Sequence, residues 1–236
     1  MAAAEKPKRQ PVIVDIFSKE DFGDETVNQT VKGLQEGLKL SLKNKKDRAR
    51  IFKSYIDLGA AYYRLFRYDQ AETCHWKHLN MAKEKKYLNE EQVKTALTNL
   101  GCVLKQRMEY DEALVLYKEA LEIAERIDDM RAYARLLNNM GNAYESMFDF
   151  ESAIGCFEKR AELATDLKDS DGQIKAYACL GSIYNLRGEL RKSIMYYDKV
   201  IINVRMKLGR PNCIFIFSEL HKAKQKKNIW LRLFVS

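Results

Sequence analysis

The sequence predicts an all-α fold of stacked helical hairpins, and three observations carry that prediction. Proline occurs only at Pro7, Pro11 and Pro211, so the run from Val12 to Arg210 holds none of the residues that break helix interiors. A small-residue motif recurs at Leu58-Gly59, Leu100-Gly101, Met140-Gly141 and Leu180-Gly181, at intervals of 42, 40 and 40 residues. A fixed period of this size marks an architecture in which each unit buries its apolar face on its neighbour. Between the glycines the apolar residues keep helical spacing, as in Ala113, Leu116, Tyr117, Ala120, Leu121 and Ala124.

Taken in order, residues 1–25 carry charge and two prolines without periodicity and read as a flexible arm. Residues 26–50 read as an N-terminal capping helix: Val31, Leu34, Leu38, Leu40 and Leu42 form its apolar face, and the basic run from Lys43 to Arg48 suits a helix C-terminus. Residues 51–208 hold four repeats in register. Three residues after each glycine stand Tyr62, Leu104, Tyr144 and Tyr184; twelve after, Ala71, Ala113, Ala153 and Ser193; sixteen after, His75, Tyr117, Phe157 and Tyr197. A small residue where two helices cross lets them approach closely, and a neighbouring ring fills the groove so opened. Each unit breaks at a turn, Phe66-Arg67-Tyr68-Asp69, Met108-Glu109-Tyr110-Asp111, Met147-Phe148-Asp149-Phe150 or Arg187-Gly188-Glu189-Leu190. An acidic residue (Asp69, Asp111, Glu151, Glu189) then opens the second helix at its positive end. Residues 209–236 depart from the pattern: Leu220-His221 stands where the next Leu-Gly is due, and two apolar segments flank a lysine-rich stretch at 222–227. This tail reads as a divergent cap, an isoform-specific ending or a partner-docking segment.

The formal net charge is +8. Its distribution removes the obvious inference to nucleic acid, because residues 1–50 contribute +3, residues 51–204 contribute −2 and residues 205–236 contribute +7. No apolar stretch approaches the ~18 residues that span a bilayer, and Met1 to Pro11 lacks the apolar core of a secretory signal. The expectation is a cytoplasmic protein, with Lys6-Pro-Lys-Arg9 as a weak alternative pointer to the nucleus. The five cysteines, Cys74, Cys102, Cys156, Cys179 and Cys213, form no close pair and read as reduced thiols.

Leu-Gly, then Tyr, Ala and an aromatic at these offsets resemble the tetratricopeptide repeat (TPR) signature over roughly residues 50–205, most fully from Leu100 to Ala120. His78 and Arg160 depart from it, standing where the family prefers alanine, as does Leu104 where it prefers tyrosine. The 40-residue period, with Gly141-Asn142, Leu137 to Tyr144 and Ala120 to Ala124, is similar to the longer repeats of LGN/Pins G-protein-signalling modulators. The resemblance implies a right-handed superhelical solenoid whose concave face is lined by the first helix of each hairpin.

No nucleophile-base pair, phosphate loop or paired carboxylates stand in a recognisable context, so no enzyme, cofactor or small-molecule substrate is expected. His75 and His78 are one helical turn apart and could share a metal, but two imidazoles make an incomplete shell, and His75 falls on the packing position. Tyr62, Tyr144 and Tyr184 share one repeat position and read as core rather than as a stacking platform for bases.

By the resemblance, the groove is lined by Lys53, Asp57, Ala60 and Arg64; Thr95, Asn99, Cys102 and Gln106; Arg135, Asn139, Asn142 and Ser146; and Lys175, Cys179, Ser182 and Leu186. Asp57 is the sole acid among them. Arginine presents a planar fork to carboxylates, and asparagine can bond both edges of a peptide backbone. The expected ligand is an acidic peptide segment of a partner protein, held by Lys53, Arg64, Asn99, Gln106, Arg135, Asn139, Asn142 and Lys175. The same residue types also occur on ordinary soluble helix surfaces. A nucleic-acid- or membrane-associated protein acting through the basic tail, and a structural subunit assembling through its convex face or end repeats, stay open. The oligomeric state is not legible.

Overall fold

The computed structural model describes residues 25–43, 47–84 and 89–208, with side chains described up to residue 204. Among these residues it contains nine α-helices and no strand: α1 Glu25–Lys43, α2 Arg48–Arg64, α3 Tyr68–Ala82, α4 Glu90–Gln106, α5 Tyr110–Arg126, α6 Met130–Ser146, α7 Phe150–Asp166, α8 Ser170–Leu186 and α9 Leu190–Leu208. The arm at 1–24, residues 44–46 within the basic run, residues 85–88, and the tail from 209 with Cys213 lie outside the described residues.

The chain divides into two compact units after Ile127. In the first, α1 packs on α2, α2 pairs with α3, and α3 leans on the hairpin of α4 and α5. In the second, α6 pairs with α7 and α7 packs on the hairpin of α8 and α9. The first helices of adjacent hairpins also touch directly within each unit, α2 with α4 and α6 with α8.

Why the hairpins close where they do follows from the glycines. A Cβ added at Gly59 would stand 2.6 Å from the His75 ring, at Gly101 2.5 Å from Tyr117, at Gly141 2.7 Å from Phe157 and at Gly181 3.0 Å from Tyr197. The ring sixteen residues on packs against the bare backbone in all four hairpins, as the spacing predicts. Ala71, Ala113, Ala153 and Ser193 are fully buried beside these crossings, and the Ser193 hydroxyl donates to the Gly181 carbonyl at 2.9 Å. Tyr62 and Tyr184 are core residues; Tyr144 is half-buried and packs on the edge of the second unit's core.

The turns are tighter than the sequence pattern suggests, because Tyr68 and Tyr110 already belong to the second helices. Each first helix ends in a left-handed residue, Phe66 at φ 60°, Met108 at 63°, Phe148 at 61° and Gly188 at 77°. The backbone N–H of Arg67, Glu109, Asp149 and Glu189 then returns to a carbonyl five residues back, satisfying acceptors the helix end leaves open. Only Gly188 takes that conformation without a steric cost. First helices start at side-chain caps: Asp47, Asn89, Asp129 and Asp169 each accept from the backbone N–H three residues on, at 2.9 to 3.0 Å.

In α1 the buried side is formed by Val31, Gln35, Leu38 and Ser41, with Leu34 and Leu42 half-buried beside them. Leu40, expected on that face, is 59% exposed. At 100° per residue, a position two from both Leu38 and Leu42 points away from the stripe they share.

Candidate functional site

The predicted lining residues fall into two patches, one per unit. In the first unit, α2 presents Lys53, Asp57 and Arg64 exposed with Ala60 half-buried, and α4 presents Thr95, Asn99 and Cys102 half-buried with Gln106 exposed. In the second, α6 exposes Arg135 and Ser146 and half-buries Asn139 and Asn142; α8 exposes Lys175 and Leu186 and half-buries Cys179 and Ser182. None of the sixteen is buried, although Leu58, Leu100, Met140 and Leu180 on the same helices are.

What these side chains touch differs. Gln106 Nε2 donates to Tyr63 Oη at 3.0 Å, tying α4 to α2 beside Arg64. Burial raises the Tyr63 pKa, while that bond works against the rise. The Tyr117 hydroxyl donates to Cys102 Sγ at 3.5 Å, linking the first patch to the ring that covers Gly101. In the second unit, burial pushes the Cys179 thiol up to about 11, with the nearby Glu145 carboxylate adding to the effect and Arg160 opposing it. Cys179 is therefore a neutral, weakly polar surface near neutral pH.

Among the described residues, Lys53, Arg64, Arg135 and Lys175 make no ion pair and no side-chain hydrogen bond. Basic side chains elsewhere are paired: Arg48 with Glu84 at 3.1 Å and Arg126 with Glu90 at 2.9 Å within one hairpin each, and Lys83 with Glu119 at 2.5 Å and Arg187 with Glu151 at 2.5 Å between successive hairpins. Arg107 gathers Asp69, Glu109 at 2.9 Å and the buried Glu72 at 3.4 Å.

Two polar residues near the second patch were not singled out as site residues from the sequence. Asn138 is half-buried on α6, three residues after Arg135 and four before Asn142, which places the three on one helix face. Arg160 on α7 is buried and donates from Nη1 to Asn138 Oδ1 at 3.0 Å. The available signal was Arg160 itself, a cation standing where the repeat takes alanine.

The histidine pair serves packing. His75 lies over Gly59, and His78 Nε2 meets Gln92 Oε1 at 2.9 Å with its ring 5.3 Å from that of Phe52. Burial lowers both pKa values, that of His75 to about 3 with His78 contributing. Among the described residues no group of three or more His, Cys, Asp and Glu is placed to hold a metal ion, and no helix is long and apolar enough to cross a membrane. Cys74, Cys102, Cys156 and Cys179 form no disulfide.

Comparison with known proteins bears on this arrangement. The family profile described as tetratricopeptide repeat matches residues 48–126 and 92–166, together just over half the chain. Human tetratricopeptide repeat protein 29 is 24% identical over 107 residues, covering 45% of this chain and 22% of its own length. The chain thus matches about a fifth of that relative. Among solved structures, BtubC (BKLC) from P. vanneervenii superposes with a TM-score of 0.75 at 15% identity, covering 87% of this chain and 85% of its own. A putative kinesin light chain repeat protein from Podospora anserina gives 0.63 at 14%, covering 75% and 86%. These likenesses show the fold, the all-α solenoid class of helix-turn-helix repeats.

Proposed function

Because the chain belongs to the tetratricopeptide repeat family, we propose that it is a non-enzymatic interaction scaffold whose first-helix faces hold an acidic peptide segment of a partner protein. The observation that carries this reading is the set of exposed, uncompensated cations Lys53, Arg64, Arg135 and Lys175 on faces that also offer Asn99, Asn139 and Asn142. A cation paired within its own chain gains little from an incoming carboxylate, whereas an unpaired one gains a charge-assisted bond. The half-buried amides beside it suit a peptide backbone, which presents a donor and an acceptor at nearly every residue. Gln106 is the weaker member of the set, since its amide is already engaged by Tyr63.

The test is calorimetric titration of the full chain with a capped Glu-rich peptide and its Gln counterpart, at two salt concentrations. Wild type is expected to prefer the Glu-rich peptide, and Arg135→Ala/Asn139→Ala to lose that preference by tenfold or more. Binding that survives the double variant and is abolished by replacing the lysines of 222–227 with glutamine would assign function to the basic tail instead, with a steeper salt dependence.

A further inference from the structure

The residue nineteen positions after the packing glycine lies on the second helix of each hairpin and is His78, Ala120, Arg160 or Val200. Ala120 and Val200 are fully buried. His78 is also fully buried, as a neutral ring satisfied on one side by Gln92. Arg160 is the exception, because a guanidinium does not give up its proton to escape burial. It is 7% exposed, makes one side-chain hydrogen bond, to the neutral amide of Asn138, and forms no ion pair among the described residues. Removing a cation from water without a paired anion is unfavourable, and burial accordingly pulls its pKa below the usual arginine value.

Three neighbours could supply compensation within the unit, and none completes it. Asp169 attracts Arg160 through space, but the Oδ1 of that carboxylate caps α8 by accepting from Gly172 N at 3.0 Å. Cys179 is a neutral thiol. Glu145 is half-buried beside Cys179, makes no hydrogen bond or ion pair to Arg160, and has its pKa raised by burial. At 7% exposure Arg160 keeps only a small part of its side chain in contact with solvent. Asn138, which orients the group, lies on the same face of α6 as Arg135 and Asn142.

We propose that Arg160, oriented by Asn138, is the carboxylate-recognition point of the second unit, taking a Glu or Asp side chain of the acidic peptide on the guanidinium nitrogens that Asn138 leaves unbonded. This rests on the reading that the α6 and α8 faces bind such a peptide, and it adds a residue on a second helix to a surface otherwise built from first helices. The guanidinium fork donates to both carboxylate oxygens, so the site selects a carboxylate over the isosteric amide. Alanine already occupies this position in the second hairpin as Ala120, so the hairpin geometry does not require an arginine.

The experiment titrates the full chain with the capped Glu-rich peptide and its Gln counterpart, using wild type, Arg160→Ala, Arg160→Met and Arg160→Lys. Arg160→Ala and Arg160→Met are expected to weaken Glu-rich binding at least tenfold without changing Gln-rich binding, and Arg160→Lys to recover part of the loss. In parallel, the Arg160 Nε–Hε resonance of wild type is followed by NMR during titration, a readout that needs no variant to fold. A shift on adding the Glu-rich peptide but not the Gln-rich one supports the assignment; no shift, or unchanged affinity in Arg160→Ala, overturns it. If Arg135→Ala/Asn139→Ala abolishes the preference and Arg160→Ala leaves it intact, the peptide face stands and Arg160 is not part of it. If wild type does not distinguish the two peptides, both readings fall.

Discussion

In the first unit the polar residue that intrudes at an alanine position is His78; in the second it is Arg160. Both are buried on second helices and both touch an amide, Gln92 in one case and Asn138 in the other. Histidine can shed its charge and become a core ring against Phe52, while arginine keeps its charge wherever it is placed. The same contrast appears six residues after the glycine. Arg107 in the first unit anchors the buried Glu72, whereas the carboxylates that Arg187 meets in the second, Glu151 and Glu189, are 79% and 30% exposed. The first unit uses its ionisable groups mainly to close itself; the second keeps a buried cation with no ion pair among the described residues.

That contrast can be broken most directly at the two intruding residues. His78→Ala should destabilise the protein by roughly 2–4 kcal/mol, because it opens a cavity beside Phe52 and leaves Gln92 without its partner. Arg160→Met should be neutral or stabilising by about 1–2 kcal/mol, since it removes an unpaired buried charge and keeps the volume. Urea denaturation followed by circular dichroism measures both, and equal losses at the two sites would erase the distinction.

The packing glycines sharpen it next. Gly101→Ala drives a methyl to 2.5 Å from Tyr117 and should cost about 1–3 kcal/mol from overpacking, beyond what helix propensity returns. Gly181→Ala meets Tyr197 at 3.0 Å, where a slight ring movement suffices and the ~1 kcal/mol gain in propensity offsets it. Calorimetric melting of the two variants should therefore separate clearly.

The smallest effect is that of pH. His75 and His78 have folded-state pKa values below that of an unfolded histidine, so the unfolded chain binds more protons and stability falls as pH drops through about 6.5. Between pH 7.5 and 5.5 each histidine should remove up to about 1.4 kcal/mol. His75→Tyr, which copies Tyr117 of the next hairpin, should keep the fold and reduce this slope; an unchanged slope would contradict the assignment of a buried neutral ring.

The hairpin plan was legible because it depends on backbone approach, which a glycine and a ring at fixed spacing specify regardless of the residues between. His75 is the clearest case, since its repeat position identified it as packing although its chemistry suggested a ligand. Other features depend on side-chain reach. The ion pairs Arg48–Glu84 and Arg126–Glu90 each close one hairpin and Lys83–Glu119 joins two, all between residues 36 apart rather than 40 or 42, because a long side chain reaches beyond its own repeat position. The left-handed turn residues Phe66, Met108 and Phe148 were hidden, as bulky side chains do not advertise that conformation. Asn138 went unremarked beside Asn139 because its role appears only when Arg160 arrives from another helix.

The measurement that bears most directly on the scaffold reading is an NMR titration of the full chain with the capped Glu-rich peptide, following backbone and asparagine side-chain amides. The account predicts perturbations at Asn99 on α4 and at Asn138, Asn139 and Asn142 on α6, with little change on the exposed faces of α5 and α7. Perturbations concentrated on those second helices or in residues 222–227, with the α4 and α6 amides unmoved, would contradict it.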